Sequence, residues 1–225
     1  MDRYAIIVAG GVGKRMKSET PKQFMPLAGK PILFHSINAF YNCFNDIEII
    51  IPLPKEFYGE WEKLCEEHNF TIKHKLAEGG ETRFYSVKHS LSLINDNEEA
   101  VVGIHDAARP LIKKETILEL YKAAEETGNA IPVVAINDSV REINKLSSKP
   151  IDRHNLCLVQ TPQCFKAEII KRAYRQEYKL YFTDDATVAE SIEEKINLID
   201  GDPNNIKITT PTDLLIAETL FMKQL

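Results

Sequence analysis

Tyr4-Ala5-Ile6-Ile7-Val8 carries no charge and runs straight into Ala9-Gly10-Gly11-Val12-Gly13-Lys14-Arg15-Met16. An apolar run without polar alternation reads as a strand buried on both faces. The glycines after it let the backbone approach a ligand closely and turn its N–H groups toward phosphate oxygens. Arg15, and Lys22 within Thr20-Pro21-Lys22-Gln23-Phe24, add positive charge beside that cradle. Two familiar glycine motifs fail on spacing. A Walker loop needs glycine where Val8 stands and Ser or Thr where Arg15 stands, and the dinucleotide fingerprint needs a glycine where Met16 stands. A dehydrogenase is therefore a poor reading.

Outward from this stretch, apolar runs alternate with amphipathic ones. Ile47–Ile51, Ala100–Ile104 and Ala130–Val134 read as further buried strands, and Pro31–Asn42, Lys55–His68, Arg83–Ile94 and Lys113–Thr127 as helices. Pro31 suits a first helical position, and Gly128 falls where a left-handed cap belongs. The alternation predicts an α/β fold with a mostly parallel sheet and helices on both faces. Ligands then bind in the crevice beyond the carboxyl ends of the strands. The pattern breaks at Asp138–Arg153, a polar hairpin with its turn at Ser147-Ser148-Lys149-Pro150. It reads either as a solvated surface hairpin or as an arm that pairs two chains. Leu156–Gln160 returns to the core, followed by helices near Lys166–Glu177 and from Thr183, and a strand at Ile196–Ile199. Thr210-Pro211-Thr212-Asp213 opens a closing helix with a threonine cap, proline first and an acid in the first turn. Residues 1–225 read as one domain.

Composition narrows the function. With 225 residues, 44% hydrophobic and 27% charged, the chain can bury a substantial core. A net charge of -5 argues against a broad nucleic-acid surface, so an anionic ligand would have to meet a local basic pocket. No apolar run approaches the ~18 residues of a membrane span, and the start has no signal-peptide pattern. Cys43, Cys65, Cys157 and Cys164 lack metal-site or disulfide-scaffold spacing and read as reduced, mostly buried thiols of a cytoplasmic protein. Trp61 reads as partial core, His105 as a packed or hydrogen-bonded strand-end residue, and Asp184 and Asp185 as first-turn acids with at most a supporting role.

The glycine loop with Arg15 and Pro21-Lys22-Gln23 resembles the signature of the sugar-nucleotide and polyol-phosphate nucleotidyltransferases. Gly79-Gly80-Glu81-Thr82-Arg83, His105-Asp106-Ala107-Ala108-Arg109-Pro110, Gln160-Thr161-Pro162-Gln163, Thr183-Asp184-Asp185-Ala186 and Asn205-Ile206-Lys207-Ile208-Thr209 follow in order. They look like successive blocks of the 2-C-methyl-D-erythritol 4-phosphate cytidylyltransferase family. The related ribitol-5-phosphate enzymes typically have Asp-Ser-Val-Arg-Pro where this chain has Asp106-Ala107-Ala108-Arg109-Pro110.

The resemblance implies a Rossmann-like three-layer nucleotidyltransferase domain with a projecting β-hairpin arm, acting on CTP and a polyol phosphate with Mg²⁺ and releasing pyrophosphate. Arg15, Lys22 and Lys207 would stabilise charge at the reacting phosphates. Ala9, Gly10, Gly11 and Gly13 would wrap the nucleotide, and Gly80, Glu81 and Ser86 would sit near the cytosine; the family often has aspartate at the position of Glu81. Asp106 would help place Mg²⁺ and the acceptor, while Arg109, Arg153 and Thr161 would bind the acceptor's phosphate and hydroxyls. Ser139 matches an acceptor-binding threonine that the family supplies from the neighbouring subunit, which implies a homodimer through the hairpin.

The chemistry asks for such a set. Both substrates are anions, so cations must offset their repulsion. A phosphate monoester is already largely ionised near neutral pH, and positioning with charge stabilisation supplies most of the rate. Duller readings stand beside these: Asp106 and Arg109 as a structural ion pair, and Lys207 as a solvated strand residue. The rivals are a ribitol-5-phosphate cytidylyltransferase and a nucleotide-binding protein without catalysis.

Overall fold

A computed structural model describes residues 1–10, 20–96 and 99–223. Gly11, Gly13 and Arg15 of the first loop lie outside the described residues. In chain order the elements are β1 (Asp2–Val8), a small pair β2 (Pro26–Leu27) and β3 (Lys30–Pro31), α1 (Ile32–Tyr41), β4 (Glu48–Leu53), α2 (Tyr58–Glu67), β5 (Lys75–Glu78) and α3 (Arg83–Leu91). There follow β6 (Ala100–Asp106), α4 (Lys114–Thr127), β7 (Asn129–Ala135), β8 (Val140–Ile143), β9 (Ser148–Ile151), β10 (Cys157–Val159), β11 (Gln163–Lys166), α5 (Ala167–Ala173), α6 (Asp185–Glu190), β12 (Leu198–Asp200) and α7 (Pro211–Met222).

The main sheet runs β10-β7-β11-β6-β1-β4-β5, with β12 also paired to β7. Neighbours from β6 to β5 are parallel, and β12 is parallel to β7. β11 runs antiparallel between β6 and β7, and β10 is antiparallel to β7. Strand alternation sends Ala5 and Ile7 of β1 into one core and Tyr4 and Ile6 into the other. The first core packs against Phe34, Ile37, Trp61, Ile117 and Leu120, from α1, α2 and α4. The second packs against Phe84, Val87, Ile170 and Val188, from α3, α5 and α6. Each such large apolar side chain contributes roughly 1.5–3 kcal/mol by leaving water. α7 seals the amino end of α1 through Ala217, with Leu27, Ile32, Leu111 and Ile208.

Several expectations are corrected. β5 was not foreseen: its four residues begin and end on charge at a sheet edge. β11 was not foreseen either, and it takes the place of the lead-in to a helix that begins only at Ala167. Helix α1 starts after Pro31, which ends β3 as the cap. The stretch expected as one helix from Lys55 opens with a short 3₁₀ turn, Lys55–Phe57, before α2. The hairpin turns at 144–147, where the Asn144 side chain accepts from the backbone N–H groups of Leu146 and Ser147. Pro150 instead pairs with Arg141 inside β9. Strand β10 lies exposed along its length, and Trp61 is 1% exposed, full core rather than partial. Gly128 caps α4 at φ +97°, a conformation that favours glycine.

Candidate active site

The parallel strands place their carboxyl ends together. Val8 and Asp106 are paired in register, and the Ala107 N–H donates to the Val8 carbonyl at 3.1 Å. The glycine-rich loop thus leaves β1 beside the Asp106 turn. A cleft of about 370 Å³ opens there, lined by Ala9, Gly10, Lys22, Gly80, Glu81 and Ser86 among others. A second cleft, of about 270 Å³, is lined by Arg109, Gln160, Thr161, Gln163, Thr183 and Asp184. Arg83, Asp106 and Lys207 line both and form the wall between them.

That wall is a charge cluster. Lys207 Nζ lies 2.8 Å from Asp106 Oδ2, Arg109 Nε 3.4 Å from the same oxygen, and Arg83 Nε 3.5 Å from Oδ1. Burial alone would raise the Asp106 carboxyl, but Arg83, then Lys207 and Arg109, hold it far below the usual carboxylate range. Three cations against Asp106 and the Asp185 carboxylate behind Arg83 leave the cluster net positive, the sign a pair of phosphates requires. Burial draws the Arg109 guanidinium down against the pull of Asp106. For Arg83 burial is outweighed by Asp185 and then Asp106, which push it up.

Arg83 is the residue that sequence reasoning missed. It grips Asp185 with two bonds, at 2.8 and 2.6 Å, and the Tyr174 hydroxyl donates to the same carboxylate at 2.7 Å. Asp185 is buried and does more than decorate a first turn; the cap of α6 is Asp184, in a capping box with Thr187. The usable signal was Arg83 at the first turn of a helix, where the dipole disfavours a cation unless a carboxylate answers it.

The remaining expected residues divide. Lys207 sits in no strand; its segment is held to the turn by Ile208 N–H to Ala108 O, 2.8 Å, and Arg109 Nη1 to Asn205 O, 2.9 Å. Ser86 lines the first cleft, but its hydroxyl donates to Thr82 O at 3.1 Å and accepts from Gly80 N–H at 3.0 Å. Gly80 is pressed so close to α3 that an added Cβ would lie 2.3 Å from Tyr85 Cβ. Thr161 Oγ1 accepts from the Asp106 N–H at 3.0 Å and lies 3.1 Å from Nδ1 of the buried His105. Burial lowers His105 from 6.5 to about 4. Ser139 and Arg153 line neither cleft of their own chain; Arg153 donates to the Asn137 carbonyl at the root of the hairpin. Among the described residues no three His, Cys, Asp or Glu side chains gather to hold a metal.

The chain matches the family description "IspD: 2-C-methyl-D-erythritol 4-phosphate cytidylyltransferase" over residues 4–223. A protein of Bacteroides fragilis named 2-C-methyl-D-erythritol 4-phosphate cytidylyltransferase is 47% identical over 220 residues, 98% of this chain and 100% of the relative. A protein of that name from Bacteroides thetaiotaomicron is 45% identical over 98% of this chain and 100% of its own. The crystal structure of 4-diphosphocytidyl-2C-methyl-D-erythritol synthase from Anaerococcus prevotii superposes with TM-score 0.83 at 25% identity, covering 98% of this chain and 96% of that one. The Francisella tularensis 2-C-methyl-D-erythritol 4-phosphate cytidylyltransferase gives TM-score 0.77 at 28% identity, over 97% and 99%. By sequence along nearly its whole length and by fold, the chain belongs to the IspD family of 2-C-methyl-D-erythritol 4-phosphate cytidylyltransferases.

Proposed function

We propose that this protein transfers the cytidylyl group of CTP to 2-C-methyl-D-erythritol 4-phosphate, giving 4-diphosphocytidyl-2-C-methyl-D-erythritol and pyrophosphate, a step of the non-mevalonate route to isoprenoid precursors. The observation that carries the reading is the meeting of two clefts at one cationic wall of Arg83, Asp106 and Lys207. CTP lies in the first cleft and the acceptor in the second. An acceptor phosphate oxygen forms a new bond to the α-phosphorus as the bond to the β-phosphate oxygen breaks, and pyrophosphate carries away that electron pair.

Lys22, Lys207 and Arg15 offset the charge that builds on the α-phosphoryl oxygens, Arg15 lying outside the described residues. Gly10, Gly80, Glu81 and Ser86 shape the nucleotide side, and Ser86 acts there by presenting Gly80. Arg109 and Thr161 serve the acceptor side. A magnesium ion would arrive with the triphosphate: Asp106, which lines both clefts, would be the carboxylate that meets it, and bound there it would neutralise phosphate charge.

Two copies of the chain pair through the β8–β9 arm. Ile143 and Leu146 on it are 81% and 98% exposed, and its root carries Ser139 and Arg153 away from their own clefts. Among the described residues no helix is long and apolar enough to cross a membrane.

The test is pyrophosphate release from CTP and Mg²⁺, with methylerythritol phosphate and ribitol phosphate offered separately. Release with the first alone is expected. Release with ribitol phosphate alone would move the acceptor, and CTP binding without release would leave a nucleotide-binding protein.

A further inference from the structure

His105 touches neither cleft, yet three residues that face them hang on it. It is the penultimate residue of β6, wholly buried, and its ring lies against Phe40. Nε2 is 3.0 Å from the Arg109 carbonyl, and Nδ1 is 3.1 Å from Thr161 Oγ1. A carbonyl only accepts, so Nε2 carries the hydrogen. No carboxylate bonds to the ring among the described residues, and a buried imidazolium without one is costly, so the ring is neutral and Nδ1 accepts. Thr161 must then donate its one hydroxyl hydrogen to Nδ1, while its oxygen accepts from the Asp106 N–H at 3.0 Å. Every bond in the set has a single direction: Asp106 N–H to Thr161, Thr161 O–H to His105, and His105 Nε2–H to the Arg109 carbonyl.

We propose that His105 is a positioning residue for the acceptor half of the site, holding the Asp106–Arg109 turn and the Thr161 hydroxyl in one arrangement through this relay. A corollary concerns Thr161. With its hydrogen committed, it presents only a lone pair to the second cleft, which suits a hydroxyl of the polyol and not a phosphate oxygen. The phosphate is left to guanidinium and ammonium groups. The kinetic consequence rests on the cytidylyl-transfer reading; the relay itself does not.

The tautomer is read first, by long-range ¹H–¹⁵N NMR of the ligand-free protein with labelled histidine at pH 7. A neutral Nε2–H ring is expected for His105, and an Nδ1–H ring or an imidazolium overturns the relay. Kinetics follow. His105→Gln keeps a donor for the Arg109 carbonyl but leaves the Thr161 hydroxyl without its acceptor. It should raise KM for the polyol phosphate by about tenfold while KM for CTP stays within about twofold. Thr161→Val should raise the polyol phosphate KM further, since it also removes the lone pair offered to the polyol, and adding His105→Gln to Thr161→Val should change little, because the chain of bonds is already broken. Equal rises in both KM values, or additive effects, would reduce His105 to packing. Should His105→Gln not fold, the NMR spectrum still decides. A wild-type protein silent with CTP would count against the transferase reading alone, since the ring spectrum stands without turnover.

Discussion

Gln23 lines the first cleft, yet its amide nitrogen is shielded from water and unpaired among the described residues. An unpaired buried amide costs on the order of 1–3 kcal/mol, so Gln23→Met should stabilise the ligand-free protein by about 1 kcal/mol in urea unfolding. A loss of stability would mean that the amide is satisfied. Asp185 is the opposite case: Asp185→Ala takes from Arg83 its two-bond partner, leaving only Asp106, and from the Tyr174 hydroxyl its acceptor, and about 3 kcal/mol of stability should go with it. His105 gives a pH signature. Its folded value, about 4, lies below the ordinary 6.5, so the unfolded chain binds a proton first as pH falls. The contribution is whole above about 6.5 and is lost toward 4, worth on the order of 3 kcal/mol by linkage. Unfolding midpoints across that window should fall more steeply for wild type than for His105→Gln. Asp106, held lower still, stays ionised throughout. Lys22→Ala should lose at least about a hundredfold in turnover with the fold retained, as expected when a cation aimed at the transition state is removed.

Elements differed in how openly the sequence declared them. β1, β4 and β6 were legible because burial on both faces leaves a continuous apolar run. The cap of α7 was legible because Thr210 and Asp213 answer each other across one turn, and both bonds form. β5 and β11 are four residues each, too short for periodicity to separate strand from loop, and only their neighbours define them. The site was legible in the same uneven way. Lys207 and Asp106 stand 101 positions apart, and ordered motifs hinted at their meeting without showing the contact. The Arg83–Asp185 grip was hidden because no local rule links a helix start to a residue 102 positions on. Gly80 tests element packing directly. Gly80→Ala puts a methyl inside Tyr85 and must push α3 from the first cleft, so weaker CTP binding by calorimetry and a lower melting temperature should appear together.

The whole molecule decides whether the arm matters. Ser139 and Arg153 were expected at the acceptor, and within one chain they do not reach it. If a partner's cleft receives them, two inactive variants should rescue each other. Mixed Lys22→Ala and Arg153→Ala subunits form heterodimers with one intact site in two, so activity should return to about a quarter of wild type. No recovery after subunit exchange would confine Arg153 to its own chain. The antiparallel placement of β11 has a consequence for inheritance. Because that strand is reversed, the cleft receives its lead-in, Gln160 and Thr161, rather than its carboxyl end. The residues particular to the second cleft, Arg109 apart, therefore all follow the glycine that caps α4, and those particular to the first all precede it. If the first cleft takes the nucleotide and the second the acceptor, as proposed, a genetic crossover at Gly128 would pass on the one pocket from one parent and most of the other from its mate, so a lineage could change its alcohol while keeping its cytidine.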